Sequence, residues 1–366
     1  MRIVILCLEK GGGLSHCAYE LAKSMAGSAD VGCFLAEQND MLNAFAALPC
    51  RVRAFPLRRG RRSLMRAMIT GREYSGIART IKADAPDIVL DAGSGAWAST
   101  VLRGLDGQVP IAQIVHDVYP HPDIRSLIDA LPGIVRPAFV NVFIAPSAFS
   151  FAELARKYPH HPRIQSKVGV LMPPDTTDSQ STAERRHKQL FVGRIHPYKG
   201  VDILIEAYAI ARRLNPALEL SIVGQGAITS TLLRRMHELG VRLENRYLSD
   251  AALKGVIAAH GVMILPYTSA TQSGIAAIAL AHGMPGVATD AGGLPEQIIH
   301  GANGLIVPRR DPEALAQAMV AIAANEDTAR HMAEESLRIG RELYSWDVIG
   351  DRLLGELDAF LTTRNG

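Results

Sequence analysis

The sequence predicts two doubly wound α/β domains in series, on three observations. Its 366 residues exceed what a single core of roughly 100–200 residues organises. Short runs that are apolar on both faces alternate with helix-length segments, which is the pattern of strands buried inside a parallel sheet. That alternation occurs twice, and a polar stretch of turn formers separates the two series.

The first series opens at residues 3–8, apolar throughout, and a glycine loop then leads into a helical pattern over 14–25. Further strands are expected at 31–35, 88–90, 111–115 and 142–145. This domain is expected to span 1–170. From Leu171 to Gln189 the chain offers little to bury, so a linker is expected over 171–189. The second series, 190–345, has expected strands at 190–192, 218–223, 262–266, 287–289 and 305–307. After Pro312 the pattern is helical. The last stretch, 346–366, carries Val348, Leu353, Leu354, Leu357, Phe360 and Leu361 at helical spacing.

Composition bounds the function. With 48% hydrophobic and 20% charged residues, the chain has the balance of a folded protein rather than a disordered or fibrous one. A net charge of +3 is too small to argue for a nucleic-acid partner, and none is expected. Cys7, Cys17, Cys33 and Cys50 form no CxxC pair and none of the spacings that zinc uses. They read as reduced core thiols, and no metal site is expected. The apolar run at 3–8 is too short for a signal peptide, and nothing approaches 18 uninterrupted apolar residues. A cytoplasmic protein is expected.

Three loops are candidates for chemistry. Gly11, Gly12 and Gly13 lie between the first strand and first helix, where glycine lets a ligand approach backbone and helix-start N–H groups attract anions. A tight turn needing positive φ explains them as well. In the second domain Gly193 ends a strand, Arg194 and Lys199 follow, and a helical run begins at Val201. A planar guanidinium and a compact ammonium five residues apart suit a diphosphate, although incidental surface charges are the alternative. The loop Pro266-Tyr267-Thr268-Ser269-Ala270-Thr271-Gln272-Ser273-Gly274 precedes an apolar helix and carries more polar groups than a single cap requires.

Taken together and in order, the glycine loop, Val115-His116-Asp117, Gly193-Arg194 with Lys199-Gly200, Gly224-Gln225-Gly226, the 269–274 loop and Gly292-Gly293-Leu294-Pro295-Glu296 resemble the GT-B glycosyltransferases of family 4. The likeness runs over nearly the whole chain. It implies two Rossmann-like domains facing across a cleft, with the final helix returning to the first. The second domain would hold a nucleotide diphosphate sugar and the first an acceptor. Residues 1–170 are thus the expected acceptor domain and 190–345 the donor domain. By the same resemblance, Arg194 and Lys199 contact the donor's phosphates and His116 contacts the transferring sugar. Without the resemblance, His116 is equally compatible with a satisfied core histidine. Gly12, Gly13, Gly193, Tyr247, Thr271, Gln272, Ser273, Gly274 and Glu296 complete the expected donor-binding set. No cofactor beyond the sugar nucleotide is implied.

One departure from the family matters. Most members carry two glutamates, separated by seven residues, where this chain has Ala270 and Ile278. These usually touch the sugar and grip the ribose. The Ala270-Thr271-Gln272-Ser273-Gly274 wording resembles a subgroup that lacks them. Retaining transfer in this class is described as same-face attack in which the departing diphosphate accepts the acceptor's proton, so their loss does not forbid chemistry.

Between Arg51 and Arg79 stand nine arginines, no lysine and a single acid, Glu73. Arg58, Arg59, Arg61, Arg62 and Arg66 flank an apolar face of Leu64, Met65, Met68 and Ile69, a pattern of basic amphipathic helices that lie on anionic lipid. A helix packed on its own domain would read the same way.

The expected function is retaining transfer of a sugar from a nucleotide diphosphate donor to a saccharide acceptor, lipid-linked, in surface polysaccharide or glycolipid assembly on the inner face of the plasma membrane. Two alternatives stand beside it: an epimerase acting on the donor alone, and a non-catalytic subunit that binds the sugar nucleotide.

Overall fold

The computed structural model describes residues 1–57, 74–92, 95–118, 138–173 and 179–365. The chain divides into two compact units: Met1–Lys167 with Trp346–Gly366, and Val168–Ser345.

The first unit is built on a seven-stranded parallel sheet, in the order β3-β2-β1-β4-β5-β6-β7. Its strands are β1 (Arg2–Cys7), β2 (Asp30–Ala36), β3 (Arg51–Phe55), β4 (Ile88–Asp91), β5 (Ile111–Ile114), β6 (Val142–Ala145) and β7 (Arg163–Gln165). β1 lies at the centre, paired in register with β2 from Arg2↔Asp30 and with β4 from Ile3↔Ile88. Ile3 to Cys7 are fully buried, so the sheet is covered on both faces at β1, and the unbroken apolar run follows from that.

The edge strands β3 and β7 escaped the sequence reading. An edge strand is apolar on at most one face, and β3 carries Arg51 and Arg53 among half-buried neighbours. Both arginines belong to an ion-pair group with acids of the same unit. Arg51 pairs with Asp30 and lies 3.0 Å from Asp84, and Arg53 approaches Asp84 at 4.0 Å. The expected lipid-facing residues Arg58, Arg59, Arg61, Arg62 and Arg66 lie outside the described residues.

The helices of this unit are α1 (Gly13–Met25), α2 (Leu42–Ala46), α3 (Ser75–Ala83), α4 (Gly95–Arg103) and α5 (Ala148–Lys157). A last helix of the chain, Trp346–Asn365, packs on α1. The approach is close: a Cβ at Gly350 would fall 2.3 Å from the Ser24 hydroxyl. Its buried stripe is Trp346, Ile349, Leu353 and Leu357, whereas Val348, expected on the apolar face, is 48% exposed. The stripe is therefore set by where α1 lies and not by the hydropathy pattern alone.

The second unit has a six-stranded parallel sheet in the order β10-β9-β8-β11-β12-β13. The strands are β8 (Lys188–Val192), β9 (Glu219–Val223), β10 (Arg242–Glu244), β11 (Val262–Leu265), β12 (Gly286–Thr289) and β13 (Gly304–Val307). The strand missed here, β10, is again an edge and reads Arg-Leu-Glu. Its helices are α6 (Ser179–Glu184), α7 (Val201–Leu214), α8 (Ser230–Glu238), α9 (Asp250–Ala258), α10 (Gly274–Ala281), α11 (Leu294–Gln297), α12 (Pro312–Ala324) and α13 (Glu326–Leu343). The final helix of the first unit is α14.

The expected linker at 171–189 does not stand apart. It belongs to the second unit: α6 packs on α13, Thr182 and Ala183 are buried, and Lys188 already pairs with Glu219 of β9. Polar composition suggested a connector, but a six-residue helix needs only one small buried face when a long helix lies beside it.

Candidate functional site

The strands of the second unit run from β8 outward to β9 and β10 on one side, and through β11, β12 and β13 on the other. The order reverses between β8 and β11. Loops leaving the carboxyl ends of those two strands diverge there, which opens a crevice lined by backbone and helix starts. The loop after β8 holds Arg194 and Lys199, and the loop after β11 runs into α10.

After β8 the chain continues through Gly193, exposed Arg194 and Ile195, then makes a single 3-10 turn at Pro197–Lys199. Gly200 closes that turn at φ 66°, and a Cβ there would lie 2.0 Å from the Pro266 carbonyl oxygen. Glycine is needed for both the left-handed backbone and the contact. The turn is thereby pressed against the end of β11. Thr268 reinforces the join, its N–H donating to the Tyr198 carbonyl at 2.8 Å and its hydroxyl to the same oxygen at 3.3 Å. The Lys199 Nζ lies 3.6 Å from the centroid of the Tyr267 ring, and Arg194 Nη2 donates to the Tyr198 hydroxyl at 3.3 Å. Tyr267 is fully buried, and burial pushes its phenol well above the usual range, with Ser273 pulling slightly the other way.

The loop after β11 ends at Ser273, which caps α10 by accepting from the Ala276 N–H at 3.3 Å. Ser273 is itself clamped. Its N–H donates to Gln297 Oε1 at 2.9 Å, and Gln297 Nε2 donates to its carbonyl at 3.0 Å. Gln297 is buried, and Asn303 holds its carbonyl in turn at 3.0 Å. The N-terminus of α10 is therefore fixed by a two-bond side-chain fork, with the first helical N–H groups, at Gly274 and Ile275, directed out of the helix start. Such a start carries partial positive charge and suits an anion. Gly193 lies against it, since a Cβ there would stand 3.9 Å from Ile275 Cγ1. Thr271 and Gln272 are half-buried beside this point, and the Gln272 Oε1 is buried without a hydrogen-bond partner among the described residues.

Neighbouring loops complete the edge. Beyond the strand ends, Gly193 donates to Val223 and Ile195 to the Gln225 carbonyl, each at 3.0 Å. Asn245 extends the arrangement by exchanging two bonds with Gly226, both 3.0 Å, so its side chain imitates a strand neighbour. Tyr247 follows and is 72% exposed. Glu296 sits half-buried on α11, its carbonyl accepting from the Tyr344 hydroxyl, and Gly293 reaches Ala270 O at 3.4 Å.

In the first unit the sheet reverses between β1 and β4. The loop after β1 ends at Gly12, which starts α1 at φ 80°, followed by Gly13. Among the described residues nothing lies within 4 Å of a Cβ at either, so Gly12 is required by its backbone angle. Asn39 steadies this loop, donating to the Glu9 carbonyl at 3.0 Å and to buried Ser15 at 3.1 Å. His116 and Asp117 are half-buried at the end of β5. Burial pushes Cys7 up to about 11 and Cys17 up to about 12, so both stay protonated thiols at neutral pH.

The structure thus brings Gly193, Arg194, Lys199 and the 271–274 loop together on one edge of the second unit, with the loop holding Glu296 adjoining. His116, Gly12 and Gly13 stand on the corresponding edge of the first. Ala270 and Ile278 are both buried. Of the residues that organise this edge, the sequence leaves Tyr267 without a role of its own in its loop and gives no sign of Gln297. Tyr267 is an aromatic directly after the proline that ends β11, and Gln297 is a polar residue followed by the apolar pair Ile298-Ile299.

Residues 186–325 match the family model described as glycosyl transferases group 1, and that span contains Arg194, Lys199, the 266–274 loop and Gln297. Among curated proteins, the chain is 30% identical over 165 residues to a D-inositol 3-phosphate glycosyltransferase of Corynebacterium glutamicum, covering 43% of this chain and 39% of that protein. It is 28% identical over 265 residues to a D-inositol 3-phosphate glycosyltransferase of Streptomyces scabiei, covering 66% and 58%. The matches therefore span well under two thirds of these relatives. Among solved structures, Anabaena Alr3699/HepE in complex with UDP and glucose is similar at a TM-score of 0.75 and 17% identity, over 98% of this chain and 100% of that one. Sucrose-phosphate synthase from Thermosynechococcus elongatus is similar at 0.73 and 19% identity, over 100% of both. At such identities the likeness is one of fold: two parallel-sheet α/β domains of the GT-B type.

Proposed function

We propose that the chain is a glycosyltransferase that takes its sugar from a nucleotide diphosphate donor held at the C-terminal edge of the second sheet. One observation carries the reading: the loop bearing Arg194 and Lys199 and the loop ending in the clamped start of α10 leave the two neighbouring strands between which the strand order reverses, within the segment that matches the family model. A pyrophosphate asks for that combination, because its charge lies on several oxygens and rises as the sugar departs.

The reaction we infer is retaining transfer to a saccharide hydroxyl. The bond from the sugar's anomeric carbon to the β-phosphate oxygen breaks, and the acceptor oxygen bonds to that carbon on the same face. The acceptor's proton passes to the departing phosphate. Arg194, Lys199 and the N–H groups at 274 and 275 stabilise the charge that develops there. His116 holds the transferring sugar. No side-chain base is demanded, which accommodates alanine and isoleucine at 270 and 278.

Those same two residues favour a second reading, in which the sugar nucleotide binds and is not consumed. A thermal-shift screen against nucleotide diphosphate sugars, followed by turnover with the donor that stabilises most, separates the two. A ligand at a hundred times its dissociation constant raises stability by about 2.7 kcal/mol. The expected result is stabilisation by one donor class and its consumption only when an acceptor saccharide is added. Consumption without acceptor would indicate epimerisation or hydrolysis, and stabilisation without any consumption would indicate a binding subunit.

For the acceptor, the basic segment carrying Arg58, Arg59, Arg61, Arg62 and Arg66 supports a lipid-linked saccharide reached at an anionic membrane surface, as in polysaccharide or glycolipid assembly. No helix among the described residues is long and apolar enough to cross a membrane. The protein is expected to co-sediment with vesicles containing phosphatidylglycerol and to lose that binding when these five arginines become glutamine. Undiminished co-sedimentation of the variant would remove the basis for this assignment.

A further inference from the structure

We propose that Tyr267 is a positioning residue for Lys199: its buried ring holds the ammonium in place before the diphosphate arrives. The inference rests on the donor site proposed above and assigns a role to a side chain that has none there.

Both partners are fixed independently of any ligand. The Tyr267 ring is fully buried, and the Thr289 hydroxyl donates to the Tyr267 carbonyl. On the other side, the Lys199 backbone sits in the 3-10 turn, tied to His196 at 2.9 Å and closed by Gly200 against Pro266. Only the lysine's four-carbon stem is left to find its place, and a flexible stem ordinarily samples many rotamers. Here the Nζ lies 3.6 Å from the Tyr267 centroid and 5.2 Å from that of Tyr198. Two aromatic rings therefore border the charge.

The chemistry of the holder matters. A ring face attracts a cation through its quadrupole and adds no countercharge of its own. An ammonium resting on such a face is already ordered, so less freedom remains to be lost when an anion binds. Since the ring's face does the holding, the phenol hydroxyl is dispensable.

The test is calorimetric titration of the full chain with inorganic pyrophosphate, the portion of the donor common to every base. Tyr267→Phe should bind within about twofold of the parent, and Tyr267→Leu should bind about three- to thirtyfold more weakly. Added to Lys199→Ala, the Tyr267→Leu change should cost nothing further. Because a leucine in so buried a place can fail to fold, the second arm replaces Tyr267 by phenylalanines of increasing ring fluorination, which drain the ring face at nearly constant size. Affinity should fall stepwise along that series. A flat series, or a Tyr267→Leu loss that persists undiminished in the Lys199→Ala background, would overturn the inference. If Lys199→Ala itself leaves pyrophosphate affinity unchanged, the donor-site reading fails and not merely the role of Tyr267.

Discussion

Lys199→Ala is expected to lower turnover about 10²-fold or more with the preferred donor, while the protein melts close to the parent temperature. The size follows from what is removed: a preorganised charge aimed at oxygens that become more negative in the transition state, a type of contact whose loss costs about 2.7–4 kcal/mol of barrier. The structural cost is small. Lys199 is half-buried on a turn, and the contact it gives up against Tyr267 is worth about 1 kcal/mol. For a unit of this size that moves the transition by roughly 2–4 °C. Steady-state kinetics beside a thermal melt decide the matter, and turnover equal to the parent's would defeat the transferase assignment.

The second large effect is structural. Gly224→Ala is expected to destabilise the second unit by more than about 3 kcal/mol, lowering its transition by on the order of 10 °C. Gly224 has φ 146°, and a Cβ there would stand 1.8 Å from the Gly193 carbonyl oxygen and 2.7 Å from its carbon. Neither backbone can yield without parting the loops after β8 and β9, whose pairing continues through Gly193 to Val223 and Ile195 to Gln225. The loop that carries Arg194 would be displaced along with them. Gly255→Ala on α9, where nothing among the described residues lies within 4 Å of the new carbon, is the control and should gain up to about 1 kcal/mol. Scanning calorimetry that places Gly224→Ala at the parent's temperature would contradict the close approach.

The two variants mark what could and could not be read from the sequence. Central strands were legible because burial on both faces leaves a run such as Ile3 to Leu8 with no polar interruption. β3, β7 and β10 were not, because an edge strand keeps residues such as Arg51, Arg53, Arg242 and Glu244 and has no local signature beyond three to five residues. The linker was misjudged on composition. Ser179–Glu184 is polar to read, yet it forms a helix because α13 is present to receive Thr182 and Ala183, a partner more than 140 positions away. At the candidate site, Arg194, Lys199, Ser273 and Gly274 were visible because glycine, cation and cap residues recur at fixed offsets along a strand-loop-helix passage. Tyr267 and Gln297 were hidden. Their contributions arise only when loops from different strands meet: Gln297 reaches Ser273 across 24 positions, and Lys199 meets Tyr267 because β8 and β11, separated in sequence by β9 and β10, are neighbours in the sheet.

The order of the chain has its own consequence for biogenesis. Because the first unit includes α14, it is discontinuous: the whole of Val168–Ser345 is inserted into it. The ends of the insert adjoin, with the Val170 N–H donating to the Tyr344 carbonyl at 2.8 Å. On the ribosome, the inserted half has all of its own strands and helices before α14 is made, while the half begun first must wait, its α1 surface uncovered, until the last helix emerges. Synthesis therefore finishes the inserted half first, and the half begun earlier is sealed only once the twenty residues of α14 have been made.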